Sequence, residues 1–188
     1  MPIPKQAVAL TCFSSQYHLA RPNTCFQSDG LAARMLQTSI ETALLDRPDA
    51  VTNIQTCVPW LQAHLQVIHA SVVKEPPAYG LIHGNVIRAN ALVGGDATVT
   101  VLDFDFCGRG WRAYDIASYL LTIRGTPNER EFADALLARY IKTWPLLPAE
   151  HAAIPLFEVV RTIFEIGTPA RYVNHWGSAY LYAFLDQS

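Results

Sequence analysis

Apolar positions fall at helical spacing once the chain passes its first thirty residues. Leu31, Met35, Leu36, Ile40, Ala43 and Leu44 recur three and four apart and stop before Asp46-Arg47-Pro48, which predicts a helix. A second apolar face carries Leu61, Leu65 and Ile68, with Pro59 near its start and Pro76-Pro77 beyond its end. Before Leu31 the pattern is mixed: Gln6 to Phe13 suits a strand or a helix start, and Arg21-Pro22-Asn23 interrupts it. In mid-chain the period changes. Tyr79 to His83 predicts a short apolar strand running into a turn. Ala91-Leu92-Val93 and Thr98 to Leu102 flank Gly94-Gly95-Asp96, which predicts a hairpin with a Gly-Gly turn. Helical spacing then returns. One helix is predicted from Ala113 to Ile123, and a second begins at Asn128, capped by its own side chain with Glu131 three residues on. A third covers Leu156 to Ile166, and Thr168-Pro169 opens a fourth that runs through Trp176 to Leu185. The pattern predicts a mainly α protein with a small central β-hairpin (α+β), one domain over 1–188.

Composition narrows the function classes. A chain of 188 residues with 51% hydrophobic and 16% charged residues buries a sizeable core and is not disordered. A formal charge of −2 gives no footprint for nucleic acid or an anionic membrane surface. No apolar run approaches the ~20 residues that span a bilayer. The opening Met1-Pro-Ile-Pro-Lys5 lacks the layout of a secretory signal. The four cysteines, at 12, 25, 57 and 107, form no C-x-x-C pair and read as reduced thiols of a cytoplasmic protein.

Chemistry concentrates around the hairpin. His83-Gly84-Asn85-Val86-Ile87-Arg88-Ala89-Asn90 precedes it and Asp103-Phe104-Asp105 follows it. A strand, a polar loop, a hairpin and then acids bring both polar segments to one end, where Asn90 and Asp103 can offer oxygens to a hard cation such as Mg²⁺. From Tyr79 to Leu120 this arrangement resembles the C-terminal lobe of the aminoglycoside phosphotransferase/choline kinase family, whose fold is protein-kinase-like. The family pattern is His-Gly-Asp, four residues, Asn, then Asp-Phe-Asp at the end of a strand and a Tyr-Asp helix start. The resemblance implies a catalytic loop containing His83 and Asn85, metal ligands at Asn90 and Asp103, a second acid at Asp105, and Asp115 bracing the loop.

Two departures shape the functional expectation. Asn85 stands where the family has its catalytic aspartate, and a neutral amide cannot take a proton at neutral pH. The residues before His83 are largely used by helices, with no glycine-rich loop and no lysine on a credible strand. The expectation is therefore a C-lobe with the N-terminal lobe absent and no certain cofactor, Mg²⁺ being the candidate. Such a protein would bind a small organic molecule without autonomous ATP-dependent kinase activity. Asp103 and Asp105 would then serve acid–base chemistry of the lyase, isomerase or cyclase type. The alternatives are half of a split kinase, completed by an N-lobe partner or a second copy, and a non-enzymatic pseudokinase. The family's acceptor site lies between the hairpin and the C-terminal helices, which makes Arg161, Glu165, Tyr172, His175 and Trp176 the substrate-binding candidates. Against that, Arg161 and Glu165 stand four apart and suit an ordinary surface ion pair. Tyr172, Trp176, Tyr180 and Phe184 recur every four residues, as core packing does. Arg109 and Arg112 flank Trp111 and could grip an anion, although a solvated turn is the simpler account. Cys107 reads as a buried structural thiol rather than a nucleophile activated by His83.

Overall fold

The computed structural model describes residues 65–171, together with the isolated positions 59, 63 and 179. Residues 65–71 are helical, as the Leu65–Ile68 face predicts. The predicted helix from Leu31 and the segment from Tyr172 onward, apart from position 179, lie outside the described residues.

Two small antiparallel ladders follow. Strand β1 (Tyr79–Ile82) pairs with β4 (Gly108–Trp111), placing Tyr79 opposite Trp111 and Ile82 opposite Gly108. Strands β2 (Ala91–Val93) and β3 (Val99–Val101) form the expected hairpin, with Val93 opposite Val99. Its turn differs from the Gly-Gly expectation. Gly94 and Ala97 close it through Ala97 N–H to Gly94 O, and the left-handed residue is Ala97, at φ 61°. That is the geometry of a turn followed by a bulge, with an alanine where glycine is usual.

Strand β4 was not legible from periodicity. Gly-Arg-Gly-Trp has neither alternation nor β-branched residues, and pairing with β1 decides its conformation. The ladder makes Trp111 a core residue, 1% exposed, with its indole N–H donating to Val72 O at 3.0 Å. Arg112 stacks on Trp144, its guanidinium 4.4 Å from the ring centroid, and donates to Pro77 O. The solvated-turn reading of this segment is corrected accordingly.

Three helices complete the described part. Helix α1 (Arg112–Ile123) begins one residue before its predicted start and ends as Gly125 takes φ 73°. Helix α2 (Glu129–Thr143) has Asn128 at its N-cap, but no side-chain cap bond forms. Instead the Glu129 carboxylate accepts the Gly125 N–H. Helix α3 (Pro148–Arg171) is a single 24-residue helix where two had been expected. Pro155 and Pro169 do not interrupt it. Its buried stripe, Glu150, Ala153, Ile154, Phe157, Val160 and Arg161, keeps one face through Pro155, which lies on the solvent side. Packing of that stripe on α1 and on Trp111 overrides the local helix breaker. The core thus joins the 65–71 helix, the β1–β4 ladder, α1 and α3, and the polar loop 83–90 sits on it.

Candidate functional site

Three devices shape the loop after β1. Asp115, in the first turn of α1, accepts the His83 N–H on Oδ2 and the Gly84 N–H on Oδ1, both at 2.8 Å. Gly84 takes φ 77°, a left-handed value that turns the chain sharply back. The His83 ring is engaged on both sides: Nδ1 accepts the Asn85 N–H at 3.2 Å, and Nε2 donates to Leu102 O at 2.9 Å. This fixes the Nε2–H tautomer and ties the loop to the strand that leads into Asp103. With both nitrogens occupied, His83 has none left to activate Cys107.

Asp103 has φ 62°, a left-handed value uncommon for a non-glycine residue. Strain of this kind, of order 1 kcal/mol or more, persists where the surroundings over-determine it. Here three residues meet. Asn85 Nδ2 donates to Asp103 Oδ2 at 2.9 Å, and Asn90 Nδ2 lies 3.3 Å from the same oxygen. Asn90 Nδ2 also donates to Asn85 O at 3.0 Å, which sets the orientation of its amide. From α3, Arg161 donates through Nη2 to Asn85 Oδ1 at 2.9 Å and approaches Gly84 O at 3.5 Å.

Arg161 departs from the surface ion-pair expectation. It is 4% exposed, and its Nε binds Glu165 Oε1 at 3.0 Å beneath the loop. Burial alone would weaken the guanidinium's hold on its proton. The nearby Tyr114 and Glu165 side chains outweigh that and push its pKa up, so Arg161 is a permanent cation. A signal for this was present in the sequence: Arg161 stands seven residues after Ile154 and four after Phe157, on the apolar stripe itself. Asp115 shifts upward too, because burial outweighs the His83 and Gly84 N–H groups and the nearby Arg161 charge.

The structure thus brings His83, Asn85, Asn90, Asp103, Asp115 and Arg161 together. Asp105 is exposed and lies beyond this set of hydrogen bonds. Glu165 enters only through Arg161. Tyr172, His175 and Trp176 lie outside the described residues. Among the described residues, no cluster of three or more His, Cys, Asp or Glu side chains makes a metal cage. The donors nonetheless suit Mg²⁺ of the kind that takes one or two protein oxygens and completes its shell with phosphates and water. Asn90 Oδ1 lies on the side of its amide opposite the pinned nitrogen, and Asp103 keeps Oδ1 outside the hydrogen bonds described. Both are hard oxygen donors.

A loop held by a helix-start acid, with an asparagine and an aspartate converging at the end of a hairpin, keeps the order of polar residues seen in the kinase-like resemblance of the sequence. The sequence pattern of the phosphotransferase enzyme family matches residues 5–153, and the chain belongs to that family. A homoserine kinase of Methylorubrum populi is 34% identical over 99 residues, which are 50% of this chain and 30% of that protein. Among solved structures, an amicoumacin kinase in complex with AMP-PNP, Ca²⁺ and amicoumacin has 25% identity and a TM-score of 0.54, covering 69% of this chain and 43% of that one. A microcompartment-associated aminopropanol kinase has 26% identity and a TM-score of 0.51, covering 69% and 42%. The mostly helical fold with small antiparallel ladders is therefore kinase-like, as expected, and the chain spans well under half the length of these relatives. Among the described residues no helix is long and apolar enough to cross a membrane.

Proposed function

We propose that this chain carries the acceptor side of a small-molecule kinase that moves a phosphoryl group from Mg-ATP to the hydroxyl of an amine-bearing compound. The observation that carries the reading is the convergence of Asn85, Asn90 and Asp103, with open oxygens on Asn90 and Asp103. Those oxygens would hold Mg²⁺, which when bound neutralises charge on the phosphates. The amine-bearing acceptor is suggested by the relatives, whose names are homoserine kinase and aminopropanol kinase. In the transfer, the acceptor oxygen bonds to the γ-phosphorus as the bond to the ADP oxygen breaks. The hydroxyl proton leaves to a phosphoryl oxygen or to water. Asn85 orients that hydroxyl with its second Nδ2–H and does not take the proton, so turnover is slower by the ~10²- to 10⁴-fold typical of a missing general base.

Asp103 and Asp105 are both open to solvent, so neither has the desolvated setting that lyase, isomerase or cyclase chemistry would ask of it. Completion of the nucleotide site by a further surface, from the residues before Leu65 or from a partner polypeptide, is favoured by one specific observation. The hairpin leaves Leu92, Val93, Val99, Val101 and Leu102 exposed beside the metal-ligand candidates.

The test follows phosphorylated product by mass spectrometry, with Mg-ATP and homoserine or an aminopropanol. Slow turnover that Asp103→Ala abolishes is the expected result. Nucleotide binding without product would assign the chain to the pseudokinases. A chain that neither binds Mg-ATP nor yields product, with or without its copurifying partners, overturns the proposal.

A further inference from the structure

Residue 85 is buried, 7% exposed, between two formal charges of opposite sign. On one side the Arg161 guanidinium donates to its Oδ1 at 2.9 Å; on the other its Nδ2 donates to Asp103 Oδ2, also at 2.9 Å. Arg161 can only donate hydrogen bonds, and the Asp103 carboxylate can only accept them. The group between is best matched when it accepts on one face and donates on the other. A carboxylate at 85, the residue the family pattern has there, would satisfy Arg161 but, with no cation bridging the pair, would set two anionic oxygens against each other at the distance of a hydrogen bond. A hydroxyl offers both roles only from a single oxygen on a shorter arm, and an alkyl group offers neither. An asparagine amide matches both, and Arg161 and Asp103 together dictate which way round it sits.

We infer that Arg161 is a positioning residue that acts through Asn85, and that Asn85 is an amide because it holds Asp103 in place rather than because the loop has lost a base. Arg161, anchored on α3 by Glu165 and Tyr114, fixes the amide with Nδ2 toward Asp103. Asn85, together with Asn90, then holds the Asp103 carboxylate against its left-handed backbone. Without Arg161 the amide oxygen loses its donor and the rotation is held from the Asp103 side alone, so the group is less firmly fixed. This deepens the phosphotransfer reading, resting on it for the importance of Asp103. The hydrogen-bond polarity itself can be tested with no turnover at all.

The experiment exchanges donor and acceptor, with chelator present so that no cation bridges the pair. Asn85→Asp is expected to lower Tm by roughly 5–10 °C, a range set by the few degrees that each kcal/mol moves a chain of this size. Asn85→Asp combined with Asp103→Asn restores the bond with its direction reversed, and its Tm should return to within about 2 °C of the original. A general loss of stability would leave the double variant at or below the single one. A second measurement does not depend on those variants folding. The Asn85 side-chain NH₂ signals, seen by NMR, should exchange slowly with solvent in the parent protein. In Arg161→Lys and Arg161→Gln they should exchange faster, while backbone amides of α1 keep their protection. An Asn85→Asp protein as stable as its parent, a double variant without rescue, or Asn85 amide signals unmoved by Arg161 substitution would each overturn the inference. Failure of the kinase assay alone would leave these outcomes unchanged.

Discussion

Asp115 shows how a single side chain sets the loop. Its two oxygens each receive one backbone N–H, and Asp115→Ala would strand both donors under the loop. At about 1–3 kcal/mol for each unsatisfied buried group, that variant should lose ~2–5 kcal/mol in urea unfolding. Asp115→Asn keeps one acceptor and should lose roughly half as much. The carboxyl also carries a pH signature. Its folded-state pKa lies above its unfolded one, so the folded protein holds that proton more tightly. This contribution is fully present below the unfolded value and is lost as pH rises through the folded value. Tm measured against pH should therefore show, in the range just above the ordinary aspartate pKa, a loss in the parent protein that Asp115→Asn does not show. The opposite slope difference would contradict the assignment of burial as the dominant cause.

Elements were unequally legible in the sequence. The β2–β3 hairpin and α1 were foreseen to within a residue or two, because alternation and the three-to-four repeat are strong where one face is buried. The polar loop was legible from residue identity: His83, Asn85, Asn90 and Asp103 do meet. Strand β4 and the unbroken α3 were not, since each is decided by a partner distant in sequence. Gly108–Trp111 becomes a strand only against β1, and α3 stays helical across Pro155 only because Ile154 and Phe157 anchor it on both sides. Arg161 was misread for the same reason, as an i,i+4 ion pair looks alike on a wet face and on a buried one. The cost of Pro155 is measurable. An interior proline removes one helix hydrogen bond and crowds the preceding turn, at about 3 kcal/mol in full. Part of that is offset by the stiffer unfolded chain, so Pro155→Ala should raise unfolding stability by roughly 1–2 kcal/mol. No gain would mean that α3 is bent there in a way that already accommodates the ring.

At the scale of the whole molecule, the described part has a dry base and an apolar crest. Core residues gather under α1, α3 and the β1–β4 ladder, whereas the β2–β3 hairpin exposes Val93 by 73% and Val99 by 60%, directly across from each other. An exposed two-stranded apolar ribbon with unpaired edges invites another surface. Sedimentation should show the parent chain associating as its concentration rises, or travelling with a partner. Val93→Lys with Val99→Lys should abolish that behaviour without altering the unfolding transition. A parent chain that stays monomeric and unaccompanied at high concentration would leave the crest without a docking role.

The hairpin tip has a practical consequence. Nothing lies within 4 Å of a side chain built at Gly95, and the ladder hydrogen bonds run on either side of it. A cysteine placed there would carry a fluorophore clear of the core yet on the same short ribbon that leads to Asn90 and Asp103. Arrival of a nucleotide, a metal or a companion chain could then be read as a change in emission, without any assumption about which reaction follows.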